Sequence, residues 1–167
     1  MIASRKSALL CGLTIALLGF SLRSFAADLP APVAAVHAAD DSWVNAYNSG
    51  DLDTVIGLYD EHAVIYPPGA PPAHGSTAIR AFFAKDNAEF LRGGLIFSLG
   101  TKPDGGVTGN WGWSSGTYMV KDQSGRVIDS GWYFSVSRKV AGQWLYMRDA
   151  WNSDGPPTQK PQAPAKK

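Results

Sequence analysis

Cysteine is almost absent. Cys11 is the only one in 167 residues, and it lies in an apolar run near the N-terminus. If that run is removed with a leader, no thiol remains, which excludes a disulfide, a cysteine metal site and a cysteine nucleophile. Histidine is scarce as well. His37, His62 and His74 are isolated, with no H-x-H or H-x-x-x-H spacing and no acid cluster, so neither a metal site nor a cofactor is expected. The segments "GDLD" and "DQSG" lack the spacing of a calcium loop, and Ser114-Ser115-Gly116 lacks the G-x-S-x-G of a nucleophile elbow. There is no basic stripe to suggest nucleic acid and no basic amphipathic helix to suggest a membrane surface.

One apolar run stands out. Arg5 and Lys6 precede "ALLCGLTIALLGF", residues 8–20, and Ser24-Phe25-Ala26 has the small-x-small form of a cleavage site. The run is too short for an ordinary membrane span, so residues 1–26 are expected to be a secretory signal peptide and the chain to be periplasmic or secreted. No membrane association is expected after cleavage. Loss of Arg5, Lys6 and Arg23 would leave 12 basic residues against 14 acids, a net charge of −2. At the other end, residues 155–167, "GPPTQKPQAPAKK", are rich in proline and lysine without apolar periodicity, and are expected to be disordered. One domain, residues 27–154, lies between.

What the domain has in quantity is aromatic side chains. All six tryptophans fall within it, at 43, 111, 113, 132, 144 and 151. A chain of this size buries a single core, so several large rings must crowd that core or line a cavity. Val36, Ala39, Trp43 and Tyr47 recur at helical spacing and Gly50 is a stop signal; Leu52, Val55, Ile56 and Tyr59 mark a short second helix. "AVIY" reads as a strand, and Pro67, Pro68, Pro71 and Pro72 forbid regular structure after it. Ser76 is the expected N-cap of a third helix that buries Ile79, Phe82 and Phe83. From Leu95 the pattern changes to strands separated by turns at Asp104-Gly105, Ser124-Gly125 and Ala141-Gly142. Gly109, Gly112 and Gly116 suggest bulges or bends that curl a strand. Helices followed by a meander of strands give an α+β fold: a conical half-barrel of curved antiparallel sheet with three N-terminal helices enclosing a pocket.

The stretch "NSGDLDTVIGLYDEHAVIYPPGAPPAHGSTAIRAFF" resembles the N-terminal half of the nuclear-transport-factor-2-like superfamily, in its SnoaL-like and ketosteroid isomerase-like branch, much of it of unknown function. The closing "GQWLYMRDAWNSD" is similar to the last strand of that branch. The resemblance implies a cone with an internal pocket and a homodimer packed through the sheet. It also implies where isomerase chemistry would reside. The general base, an aspartate before the loop proline, is here Tyr66. The oxyanion-hole tyrosine of the first helix is Trp43. The protonated acid of the penultimate strand falls near Phe134. Neutral tyrosine is a poor base at its ordinary pKa of about 10, and phenylalanine can neither donate nor accept.

The residues themselves leave other candidates. On the last strand Leu145, Met147, Asp149 and Trp151 alternate to one face while Tyr146, Arg148 and Asn152 take the other. If the apolar row faces the cone, Asp149 sits among aromatics with a raised pKa, as a base or an anchor, with Tyr66 and His74 as donors. The alternative is an ion pair of Asp149 with Arg148 or Arg80. For His74 a hydrogen bond fixing the loop is the competing role, and His62 is expected to be solvated. Trp43, Tyr47, Tyr59, Phe83, Trp111, Trp113, Tyr118, Trp132, Phe134 and Trp151 are the candidate pocket wall, with Trp111, Trp113 and Trp132 also able to form a dimer face. The expected occupant is a small apolar or aromatic molecule. An enzyme acting through Asp149 and an interaction module with a vestigial pocket are the alternatives.

Overall fold

The computed structural model describes residues 30–155 apart from residue 102. The expected leader and all but the first residue of the expected tail lie outside this range. Two helices come first. α1 (Ala31–Ser49) begins with proline in its first turn and ends at Gly50, whose φ of +78° closes the helix in a left-handed cap. α2 (Leu52–Gly57) is capped by Asp51, which accepts from the Thr54 amide at 3.0 Å. It is shorter than its apolar spacing suggests. Tyr59 already belongs to β1 (Tyr59–Tyr66), which starts four residues before "AVIY".

After the proline loop a two-residue strand, β2 (Ala73–His74), pairs with Val64 and Ile65 of β1. His74, not Ser76, occupies the N-cap of α3 (Gly75–Arg92), and no side chain caps it. The remaining strands are β3 (Ile96–Leu99), β4 (Asp104–Thr108), β5 (Trp111–Lys121), β6 (Val127–Val140) and β7 (Gln143–Trp151). Ala141 and Gly142, both at positive φ, make the tight turn between β6 and β7.

The sheet runs β2-β1-β7-β6-β5-β3, with β4 pairing the other part of the same edge of β5. It is curved and unclosed. Its pairs are antiparallel except one: β1 runs parallel to β7. α1 packs over β3, β4, β5 and β7, and α3 over β1 and β2.

Gly112 and Gly116 do not bulge their strand. They make room on its inner face. A Cβ on Gly112 would stand 2.8 Å from Val36 Cγ2, and one on Gly116 would stand 3.0 Å from the Tyr133 ring. Gly109 lies in the β4–β5 turn at φ +56°. The bulges fall elsewhere. Val136 faces Arg148, yet Ser137 faces Tyr146, so Met147 is an extra residue in β7. That residue resets the alternation along the strand.

Candidate functional site

Pairing across the sheet assigns each side chain to a face. Ile65, Asp149, Ser135 and Ser114 lie opposite one another in a row that faces the helices. The next row, Tyr66, Ala150, Phe134 and Ser115, faces away. Between the inner face and the helices lies a cavity of about 440 Å³.

Its wall contains Trp43, Tyr47, Phe83, Tyr118 and Trp151 of the expected set, joined by Phe82, Phe90, Phe97, Tyr133 and Tyr146. The rings brace each other: Trp43 stacks on Tyr47 at 4.7 Å, and Phe97 on Tyr118 at 5.3 Å. Trp111, Trp113, Trp132 and Phe134 do not line the cavity. They occupy the outer face, where Trp132 is 58% and Phe134 49% exposed and Trp113 stacks on Phe134 at 6.1 Å. Tyr66 shares that outer face and is exposed, as is His74 at the helix start. Neither reaches the cavity, because strand alternation turns Tyr66 outward and the β1–β2 pairing holds His74 beside Val64. The residues of β6 that point inward are the neighbours of Phe134, Tyr133 and Ser135.

Asp149 does face the cavity. Its Oδ2 accepts from the Tyr59 hydroxyl at 2.7 Å and its Oδ1 from Ser135 at 2.8 Å. Burial pushes its pKa up to about 6; the two hydroxyls draw it down, and the charge of Asp40 adds to the rise. No arginine reaches it. Arg80 pairs with Asp53 at 2.8 Å, and Arg148 bonds backbone carbonyls. Tyr59 stands behind Asp149 as its donor and does not line the cavity itself.

Asp40, which the sequence does not mark as a site residue, is the more deeply buried acid of the wall. Asp40 of α1 accepts from Tyr146 at 2.6 Å, Ser114 at 3.1 Å and Tyr133 at 3.5 Å, and His37 Nδ1 stands 3.2 Å from it. Burial raises its pKa against these hydrogen bonds. A signal was present: Val33, Val36, His37, Asp40 and Tyr47 share one helical stripe, so two polar residues interrupt a buried face. Strict alternation sets Tyr146 on the face opposite Asp149, and the Met147 bulge brings both inward. Trp144 and Tyr146 face inward before it, and Asp149 and Trp151 after it.

The wall's donors and acceptors are unevenly disposed. Tyr47 donates to Asp86, Tyr118 to Asp129, Tyr133 and Tyr146 to Asp40, and Ser135 to Asp149. The Tyr118 hydroxyl also reaches the Asn152 carbonyl, at 2.8 Å, so every hydroxyl in the wall has an acceptor within the protein. The indole N–H of Trp43 is buried near the Tyr59 hydroxyl and makes no hydrogen bond. His62 is exposed beside Glu61. Among the described residues no group of three or more histidine, cysteine or acidic side chains is placed to hold a metal ion.

Helices on the inner face of a curled sheet, with a cavity between, define the NTF2-like cone fold, and this chain has it. Residues 41–93 match the model of the SnoaL-like domain. An NTF2-like protein with a cystatin-like fold from Novosphingobium aromaticivorans aligns over 74% of this chain and 83% of its own, with 19% identity and a TM-score of 0.66. A ketosteroid isomerase-like protein from Erwinia carotovora atroseptica aligns over 77% and 100%, with 19% identity and a TM-score of 0.58. A candidate dehydratase of the NTF2-like family from Streptomyces avermitilis aligns over 75% and 98%, with 18% identity and a TM-score of 0.64. At these identities the likeness is one of fold. No curated protein matches the chain.

Proposed function

We propose that this chain binds a small, largely apolar ring-containing molecule inside its cone. The observation that carries the reading is a cavity of about 440 Å³ walled by stacked aromatic rings and holding the partly buried carboxylate of Asp149 at one side. Small-molecule sites have this size and this mixture of apolar wall and a few placed polar groups. The test is uptake of 2-(1-naphthyl)ethanol by calorimetry. Binding by the natural chain, and its loss in Val44→Trp, which fills part of the cavity, is the expected result. Equal binding by both would refute it.

A second reading is favoured by Asp149. A carboxylate with a pKa of about 6 is suited to moving protons near neutral pH. Asp149 would take a proton from a carbon beside a carbonyl; the C–H bond breaks, an enolate forms, and the proton returns to the same molecule. Deuterium exchange into 1-(2-naphthyl)propan-2-one tests this. Exchange that Asp149→Asn leaves unchanged would exclude the reading.

The leader-like residues 1–26 support export to the periplasm or beyond. The exposed Trp111, Trp132 and Phe134 on the outer sheet face support a homodimer packed through that face.

A further inference from the structure

We propose that the molecule this cavity selects carries a protonated amine on its aromatic or apolar body. The inference rests on the cavity being a binding site, as above, and concerns the charge of what enters it.

Two independent observations point the same way. The first is charge. Asp40 from α1, Asp86 and Glu89 from α3, Asp129 from β6 and Asp149 from β7 all line the cavity, and no lysine or arginine does. Four elements thus converge on the space with carboxylates alone, and an anion entering it meets like charge without a compensating cation.

The second is the hydrogen-bond inventory. The five wall hydroxyls of Tyr47, Tyr118, Tyr133, Ser135 and Tyr146 all have acceptors already: carboxylates for four of them, and for Tyr118 the Asn152 carbonyl at 2.8 Å with Asp129 at 3.0 Å. A ligand carboxylate or phosphate, which can only accept, finds no hydroxyl free to donate, and the Trp43 N–H is buried beside Tyr59 and not presented to the cavity. An ammonium group is the converse: three donors and no acceptor. The carboxylates keep lone pairs beyond those the hydroxyls occupy, since each oxygen can accept more than once. The rings complete the match, because the faces of tryptophan and tyrosine attract a cation. Their stacked pairs leave an apolar wall for the rest of the molecule.

The test is a shape-matched trio on the full chain by calorimetry: 2-(1-naphthyl)ethylamine, 2-(1-naphthyl)ethanol and 1-naphthylacetate. The amine should bind at least tenfold more tightly than the alcohol, and the acid should not bind. Glu89→Gln alters an exposed rim carboxylate that makes no hydrogen bond among the described residues, so it leaves the fold intact. It should weaken the amine about threefold and leave the alcohol within experimental error. Asp149→Asn should weaken the amine more than Glu89→Gln does. An alcohol that binds as well as the amine, or an acid that binds at all, overturns the charge inference and leaves the cavity reading standing. Failure of all three to bind overturns both.

Discussion

The Tyr59 hydroxyl donates to Asp149 at 2.7 Å across 90 residues of chain, from the first long strand to the last. The bond exists because β1 and β7 run side by side in parallel, the one such pair in a sheet otherwise antiparallel. It fixes the single acid of the last strand against the cavity and leaves its protonation responsive to what surrounds it.

Removing that bond should move Asp149 further from an ordinary carboxylic acid. The Tyr59 hydroxyl favours the ionised form, so Tyr59→Phe is expected to raise the Asp149 pKa above about 6. Carbon-13 titration of the carboxyl signal reads the change directly. A pKa that falls or stays put would mean that the hydrogen bond is not formed.

Stability should depend on pH through the same group. The native chain holds the Asp149 proton up to about 6, against an ordinary value of 3.8, so the stabilisation is complete below about pH 4 and is lost as pH rises through 6. The full loss is on the order of 3 kcal/mol. Asp40, raised by burial, acts in the same direction; Tyr59, Tyr133 and Tyr146 titrate far above this window, and His37 faces Asp40 rather than Asp149. Denaturant unfolding at pH 5 and pH 8 should show Asp149→Asn gaining on the natural chain at pH 8. No difference between the two pH values would count against a buried, raised carboxylate.

Gly112 is expected to tolerate no side chain. Its added Cβ would press on Val36 at 2.8 Å and Trp144 at 3.2 Å, where α1 meets the sheet. Overpacking of this kind costs about 1–3 kcal/mol. Gly112→Ala should lower the unfolding midpoint, whereas Gly57→Ala, with open space around it, should not.

The outer face offers a separable test. If copies of the chain meet there, Trp132→Ser combined with Phe134→Ser should shift the protein from dimer to monomer in sedimentation without changing naphthyl ligand uptake. A natural chain that sediments as a monomer would remove the dimer proposal and leave the cavity untouched.

The order of helices and strands was legible because each has its own period and its own turn residues. Trp132 and Phe134 stand two apart, which strand alternation puts on one face, and they share it. Which face that was could not be read. Both sides of this sheet carry aromatics, so hydrophobicity does not mark the inside, and Trp111, Trp113, Trp132 and Phe134 fell outside a cavity they were expected to line. Tyr66 and His74 were misplaced for a related reason: closeness in sequence to the proline loop says nothing about the direction of a side chain. Asp40 was hidden by its company, since an acid in an apolar helix stripe has meaning only when Tyr146, Ser114 and Tyr133 arrive from elsewhere in the chain. Met147 hid Tyr146, because a single extra residue reverses every later position and leaves no mark in composition.

The claim on which the rest depends is that small molecules enter the cone and not the outer face. The six tryptophan indole N–H signals report on both places at once. Nitrogen-15 spectra recorded with and without 2-(1-naphthyl)ethanol should show the Trp43 and Trp151 signals moving while those of Trp111 and Trp132 stay fixed. Movement of Trp111 and Trp132 with Trp43 unmoved would contradict the account.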